Sequence, residues 1–215
     1  MIDRLKNIIR LYYPYSKTNI NRREQKKTFE NLLSSNTNDQ LKIVIGSSQK
    51  YTEGWIPSEA HFLDLLEPKT WLKYFQENHI DGLLAEHVWE HLTPEQGKTA
   101  VETCHTFLKK GGRLRVAIPD GFHSDPKYID YVKPGGHGYG SDNHKILYNY
   151  KSFSAILSEC GFKVECLEYF DENGLFHSKN WTIEDGFIYR SIRYDERNQD
   201  GNPNYTSLIL DAIKL

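Results

Sequence analysis

LKIVIGSSQKYTEGW, residues 41–55, is a short apolar run followed by three small residues and a polar stretch. The run is rich in β-branched side chains, which is typical of a central, buried parallel strand. Gly46, Ser47 and Ser48 follow it, and small residues allow a sharp turn and a close approach of the backbone to a ligand. The stretch therefore predicts a strand that ends at a ligand-binding turn.

Two later segments repeat this arrangement. Residues 81–92 read DGLLAEHVWEHL and residues 108–120 read LKKGGRLRVAIPD, which predicts buried strands at 80–85 and 114–118. Thr93 and Gln96 have capping-box spacing at the start of a helix over 93–108. Further predicted elements are helices at 65–75 and 150–160, a strand at 162–169 and a last strand within 205–215. This alternation implies right-handed crossovers and a mostly parallel sheet, which the final pair of strands makes mixed.

The composition is that of a globular chain with one domain. It has 215 residues, 38% hydrophobic content and a net charge of −2, so wholesale nucleic-acid binding is not expected. It contains no apolar run of the length that crosses a membrane, and the first residues do not read as a signal peptide. Three cysteines without metal-ligand spacing (Cys104, Cys160 and Cys166) predict reduced thiols and a cytoplasmic protein.

The first forty residues differ in charge from the remainder. Residues 1–33 hold eight basic and three acidic side chains. Apolar residues recur there at helical spacing, at Leu5, Ile8, Ile9 and Tyr12 and again at Phe29, Leu32 and Leu33. We predict a helical extension over 1–40 before a domain at 41–215. Its basic side chains form either a solvated helix face or a contact with an anionic partner or a membrane surface.

The segment EHVWEHL carries two acidic and two imidazole groups directly after a predicted strand. Glu86 and Glu90, or His87 and His91, share a helix face at this spacing. HVWEH also has the form of an inverted zinc motif, HxxEH. That motif lies within a long helix, whereas these residues follow a buried strand, so no metal is expected here.

Two further regions contain candidate catalytic or ligand-binding side chains. Residues 121–149 form a long predicted loop in which His123, His144 and Asp125 either cap turns or build an acceptor or metal site, and its glycine-rich part is a candidate lid. Later, three arginines suit a carboxylate or phosphate acceptor. Acidic residues interleave with them and favour internal salt bridges. The arginines are Arg190, Arg193 and Arg197.

From residue 41 to 215 the chain resembles the class I S-adenosylmethionine-dependent methyltransferases, in particular a bacterial set with an EHVxEHL segment. The resemblance implies that Gly46, Ser47 and Ser48 pass the methionine part of the cofactor, although the family turn usually reads Gly-x-Gly and Ser48 replaces its second glycine. Glu59 matches the carboxylate that binds the ribose hydroxyls. Asp64 matches an acidic position near the adenine, with a helix N-cap as its alternative role.

The resemblance also implies a fold and a reaction. The fold is a Rossmann-like class I methyltransferase fold, a mostly parallel seven-stranded sheet with helices on both faces. Glu86 and His87 would lie nearest the reacting centre, where His87 is the first candidate base for a small-molecule or sugar-containing acceptor, with His123 and His144 as alternatives. A non-catalytic protein that binds a nucleoside-type ligand or a protein partner is the second reading. A metal-dependent hydrolase is a third. The oligomeric state is not indicated.

Overall fold

The computed structural model describes residues 21–48 and 50–215, and these contain one seven-stranded sheet in the order β2-β1-β3-β4-β7-β5-β6. The predicted helix around Leu5–Tyr12 therefore lies outside the described residues. The strands are β1 (Lys42–Ile45), β2 (Ile56–Pro57), β3 (Ile80–Glu86), β4 (Leu108–Pro119), β5 (Phe162–Phe170), β6 (Phe176–Ser178) and β7 (Ser207–Lys214). Each predicted strand is present, and β4 begins six residues earlier than its apolar run.

The strand directions give a Rossmann-like sheet. β1 pairs in parallel with β2 and β3, and β3 pairs in parallel with β4. β7 lies antiparallel between β4 and β5, and β6 is an antiparallel edge strand on β5. Strands β1 to β5 consequently point one way and β6 and β7 the other. The predicted mostly parallel, mixed sheet is confirmed.

Five α-helices accompany the sheet within the described residues. They are α1 (Arg22–Ser34), α2 (Pro68–Trp71), α3 (Pro94–Phe107), α4 (Pro126–Val132) and α5 (Tyr150–Glu159). The capping box of Thr93 and Gln96 starts α3 as predicted. The helix predicted over 65–75 is shortened to α2, and turns follow it. No helix in the described part of the chain is long and apolar enough to cross a membrane.

The two faces of the sheet are covered differently. The larger apolar cluster joins the strands to side chains of α1, α2, α3 and α5, such as Phe29, Trp71, Phe107 and Phe153. The smaller cluster on the opposite face holds Trp55, Trp181 and Ile188, none of which lies in a helix. Among the described residues, α1, α2, α3 and α5 therefore pack on one face, and no helical side chain belongs to the cluster on the other. The reason is local, because the described residues that connect β1 to β2 contain no helix.

The second face is covered by an irregular stretch, residues 179–206, which we call the cover segment. A buried arginine of the sheet holds it in place. Arg115 on β4 is 1% exposed and binds Asp211 on β7 through Nε at 2.7 Å and Nη2 at 2.8 Å. Its Nη1 donates to the carbonyl oxygens of Thr182 and Gly186, each at 2.7 Å.

Candidate functional site

The carboxyl ends of β1, β3 and β4 open into a cavity of about 380 Å³, which we call the main cavity. Its floor includes Gly46, Ser48 and His87, its roof is the chain from Tyr131 to His144, and the cover segment forms one wall. A crevice outside the carboxyl ends of parallel strands is the usual place for a ligand in such sheets. The position matches the sequence prediction.

The turn after β1 has left-handed backbone at two positions. Gly46 has φ +58°, and a Cβ at this residue would lie 3.1 Å from Cγ2 of Val88. Ser48 has φ +43°, although it stands where the resembling family has a glycine. A non-glycine residue in this region costs about 1–2 kcal/mol. Strain of this kind gathers at ligand-binding turns, so it marks the turn as a candidate site.

A second cavity, of about 600 Å³, lies at the sheet edge beyond β2, and we call it the edge cavity. It is bounded by α1 on one side and by Trp55, Glu59 and Phe62 on the other, and Ser47 lines both cavities. Oγ of Ser47 donates to Oε1 of Glu59 at 2.9 Å. The structure thus brings the predicted turn and the predicted ribose carboxylate into direct contact.

Asp64 lies apart from both cavities. No strand leads directly into it, because residues 60–66 form turns and bends. Its Oδ1 accepts the N–H of Leu66 at 2.8 Å, and its own N–H donates to Oγ1 of Thr70 at 2.9 Å. The side chain caps the turn at Leu66, and it is not the helix N-cap that was the alternative to adenine binding, because the N-cap of α2 is Glu67.

Glu86 ends β3 and lines the main cavity, but its carboxylate holds the cover segment. Oε2 accepts the N–H of Tyr189 at 3.0 Å, and Oε1 accepts the N–H of Arg190 at 2.8 Å. This carboxylate fixes the wall of the cavity and leaves the Arg190 side chain at its surface.

His87 follows Glu86 with φ +58°, and its N–H donates to the carbonyl oxygen of Ala117 at 2.8 Å. Its Nε2 lies 3.0 Å from Oγ of Ser207, and its Nδ1 lies 2.7 Å from Oε1 of Glu90. Burial lowers the pKa of His87 well below its usual value, so the ring is neutral near pH 7. Both nitrogens therefore face protein groups.

His123 is buried outside the lining of both cavities. Nε2 donates to the carbonyl oxygen of Pro203 at 3.1 Å, and Nδ1 accepts the N–H of Asp125 at 3.1 Å. The ring stacks on Tyr128 with centroids 3.9 Å apart. Burial lowers its pKa to about 4. These contacts give His123 a packing role away from the candidate site.

Glu90, His91 and His144 converge in the main cavity, a grouping that the sequence did not predict. One ligand atom from each lies within 4.8 Å of those of the other two. Glu90 is 1% exposed, and burial raises its pKa to about 7. The sequence singled out His144 and the HxxEH pattern separately. Nothing in their spacing shows that the long loop returns to the end of β3.

Two basic side chains also line the main cavity. Lys50 Nζ lies 5.6 Å from the ring centroid of Tyr189, and Arg190 has no side-chain hydrogen bond or ion pair among the described residues. The other two arginines singled out from the sequence are engaged elsewhere. Arg197 pairs with Asp195, and Arg193 lies on Trp181 with its Cζ 4.8 Å from the ring centroid. Arg190 is the arginine available to an anionic ligand.

No protein-family model and no curated protein matches the sequence. Solved structures of similar fold include a methyltransferase dependent on S-adenosylmethionine from Archaeoglobus fulgidus, with 16% identity over 88% of this chain and 93% of that chain at a TM-score of 0.45. A possible histamine N-methyltransferase from Thermotoga maritima has 10% identity over 100% of this chain and 96% of that chain, at a TM-score of 0.47. At these values the similarity does not indicate which ligand this chain binds.

Proposed function

We propose that the protein is a methyltransferase that uses S-adenosylmethionine. The contact between Ser47 and Glu59 carries the proposal, because it joins the turn after β1 to the carboxylate after β2 at the boundary of two cavities. A carboxylate accepts hydrogen bonds from both hydroxyls of a ribose. A nucleoside in the edge cavity would therefore place its 5′ substituent at the turn that leads into the main cavity.

The edge cavity has the chemistry that a nucleoside requires. Leu32, Trp55 and Phe62 supply apolar and aromatic walls, and Glu59 supplies the polar group for the sugar. The methionine part would pass Gly46 and Ser48, where the left-handed backbone allows close approach. Its carboxylate would then meet the positive charge of Lys50 or Arg190 at the wall of the main cavity.

The main cavity is the proposed acceptor site. Its volume of about 380 Å³ is within the range of small-molecule sites, and a small or sugar-containing acceptor remains our proposal. Methyl transfer requires the acceptor atom to be held in line with the sulfonium while water is excluded. We place deprotonation of the acceptor at the group of Glu90, His91 and His144. His123 lies elsewhere, and both nitrogens of His87 face protein groups.

Calorimetric titration of the full chain with S-adenosylhomocysteine tests the proposal. We expect binding in the micromolar range for the native protein. Glu59→Ala should weaken it by about tenfold to a hundredfold, since hydrogen bonds to a charged group contribute about 1.5–3 kcal/mol. Glu67→Ala is the matched control, because Glu67 is an exposed carboxylate in the same stretch. Unchanged affinity in Glu59→Ala would remove Glu59 from the ribose site.

The non-catalytic reading makes a different prediction for the same preparation. Ser48 in place of a glycine is the observation that favours it, because the strained turn is compatible with binding that has no catalytic consequence. A protein of that class would bind S-adenosylhomocysteine and transfer no radiolabelled methyl group in a screen of acceptors. An absence of S-adenosylhomocysteine binding at millimolar concentration would contradict the methyltransferase and favour a non-catalytic protein that binds another nucleoside-type ligand or a protein partner.

A further inference from the structure

We propose that Glu90, His91 and His144 bind a divalent transition-metal ion at the base of the main cavity. The three side chains offer one carboxylate oxygen and two imidazole nitrogens within 4.8 Å of one another. Two ligands of a tetrahedral zinc ion at about 2.1 Å from the metal are about 3.4 Å apart. A contraction of about an ångström would therefore close the site, which rotations of the side chains supply.

The carboxylate is buried with one close polar neighbour, Nδ1 of His87. Glu90 is 1% exposed, and neither of its oxygens has a hydrogen-bond partner among the described residues. His87 Nδ1 lies 2.7 Å from Oε1, but the contact does not have the geometry of a hydrogen bond. A buried carboxylate that makes no hydrogen bond is costly to ionise. A cation is the partner that removes this cost.

His91 presents a second group of the same kind. Its Nδ1 is buried and has no hydrogen-bond partner among the described residues. The ring packs edge-on against that of His144, with centroids 4.8 Å apart and an interplanar angle of 74°. Unpartnered atoms on adjacent residues, both beside His144, are difficult to explain by packing alone.

His144 has the orientation of a metal-binding imidazole. Its Nδ1 lies 2.6 Å from the carbonyl oxygen of Val132, so Nδ1 carries the proton and donates it. The lone pair is then on Nε2. Metal-bound histidines nearly always donate their other N–H to a carbonyl or carboxylate, which fixes the tautomer and the ring.

The backbone holds the two parts of the site together. Glu90 and His91 lie in the 3-10 turn Trp89–His91, which Trp89 anchors by donating from Nε1 to the carbonyl oxygen of Gly97 at 3.1 Å. His144 follows a second 3-10 turn. The N–H of Lys145 donates to the carbonyl oxygen of Glu90 at 2.7 Å, so the two turns are joined at the site.

The ligand set selects the class of metal. Calcium and magnesium prefer sets of oxygen ligands, whereas two imidazoles and one carboxylate suit zinc, manganese, iron or cobalt. Three protein ligands beside a cavity leave open positions, as in catalytic rather than structural metal sites. If the proposed methyl transfer holds, an oxygen of the acceptor would occupy an open position, and the metal would lower its pKa. This last step alone rests on the proposed function.

Cobalt(II) titration of the chelator-treated full chain tests the site, followed by the visible absorption of the ion. We expect one equivalent to bind with micromolar or tighter affinity and to be displaced by Zn²⁺ but not by millimolar Mg²⁺. Glu90→Gln and His144→Ala should each weaken binding at least tenfold. His137→Ala is the control, because His137 is an exposed histidine of the same loop.

Folding does not obscure this test. Glu90→Gln removes a buried charge without changing the shape of the side chain, so the metal-free variant should melt no lower than the native protein. Zn²⁺ should raise the melting temperature of the native protein and not that of the variant. Binding of less than one equivalent, or equal affinity in a Glu90→Gln/His144→Ala double variant, would overturn the proposal.

Titration of the same preparations with S-adenosylhomocysteine separates the two proposals. Cobalt binding without S-adenosylhomocysteine binding would retain the metal site and contradict the methyltransferase. S-adenosylhomocysteine binding without cobalt binding would do the reverse.

Discussion

The helix-covered face of the sheet and the face under the cover segment are held by different forces. The first buries apolar side chains of α1, α2, α3 and α5 against the strands. The second has a small apolar cluster and relies on buried charged side chains that bond to the backbone of the cover segment. Periodic apolar patterns therefore describe one face of this protein, and specific polar contacts describe the other.

Three charged side chains of the sheet attach the cover segment. Arg115 donates to two of its carbonyl oxygens, and Glu86 accepts two of its N–H groups. Glu168 accepts the N–H of Ile192 at 2.8 Å and Nε1–H of Trp181 at 2.9 Å. Because the cover segment is also a wall of the main cavity, these contacts determine the shape of the candidate site.

Among substitutions at the contacts between the sheet and the cover segment, Arg115→Met should cause the largest loss in the free energy of unfolding. The substitution leaves Asp211 buried with Arg113 as its remaining ion-pair partner and frees two carbonyl oxygens. Breaking a buried pair from one side costs about 3–5 kcal/mol. Urea denaturation should show this loss, whereas Leu157→Met on the helix-covered face should cost less than about 1.5 kcal/mol. Equal effects of the two substitutions would mean that the faces do not differ as described.

A smaller loss in the free energy of unfolding is expected when the pH is lowered, because His123 becomes protonated in the unfolded chain. Its Nε2 binds the carbonyl oxygen of Pro203 near the end of the cover segment, and burial lowers its pKa to about 4 from an ordinary value near 6.5. The unfolded chain therefore takes up the proton first as pH falls. The contribution of neutral His123 to the free energy of unfolding should be full above pH 6.5. The free energy of unfolding should then fall by up to about 3 kcal/mol towards pH 4.

Comparison with His123→Asn isolates this contribution. The free energy of unfolding of the variant should depend less on pH between 6.5 and 4 than that of the native protein. Asp120, whose pKa burial raises to about 6, contributes the opposite slope in both proteins and cancels in the difference. His137→Asn is the exposed control. Parallel pH profiles for His123→Asn and the native protein would contradict the assignment.

The smallest effect is expected from Glu86→Gln. The amide keeps one acceptor for the N–H groups of Tyr189 and Arg190 and turns its NH2 towards the other. The free energy of unfolding, measured by urea denaturation, should fall by about 1–3 kcal/mol. Affinity for S-adenosylhomocysteine should fall less than in Glu59→Ala, because Glu86 acts through the wall. A larger fall in affinity than in Glu59→Ala would make Glu86 a direct cofactor ligand.

The sequence predicted what depends on local pattern. The strands, the α3 capping box and the small-residue turn at Gly46 follow from apolar runs and short-range signals, and the structure confirms them. Residues 60–66, which lead to Asp64, form turns, since a few extended residues also suit a series of turns. The bonds of Glu86 and Arg115 to the cover segment join residues remote in sequence, and no periodicity reports such contacts.

The candidate site also has one part that the sequence predicted and one part that it did not. Ser47 and Glu59 were both predicted from the family resemblance, and their contact is consistent with parallel strands that bring their carboxyl ends to one edge. The convergence of Glu90 with His144 depends on how a long loop folds back. Only its individual histidines were visible in the sequence.

A crystal structure of the complex with S-adenosylhomocysteine tests the central claim most directly. We predict density for adenosine in the edge cavity, with the ribose hydroxyls on Glu59, and density for homocysteine that passes Gly46 and Ser48 into the main cavity. Density confined to the main cavity, or placed away from Ser47 and Glu59, would contradict the proposed division between nucleoside and acceptor sites.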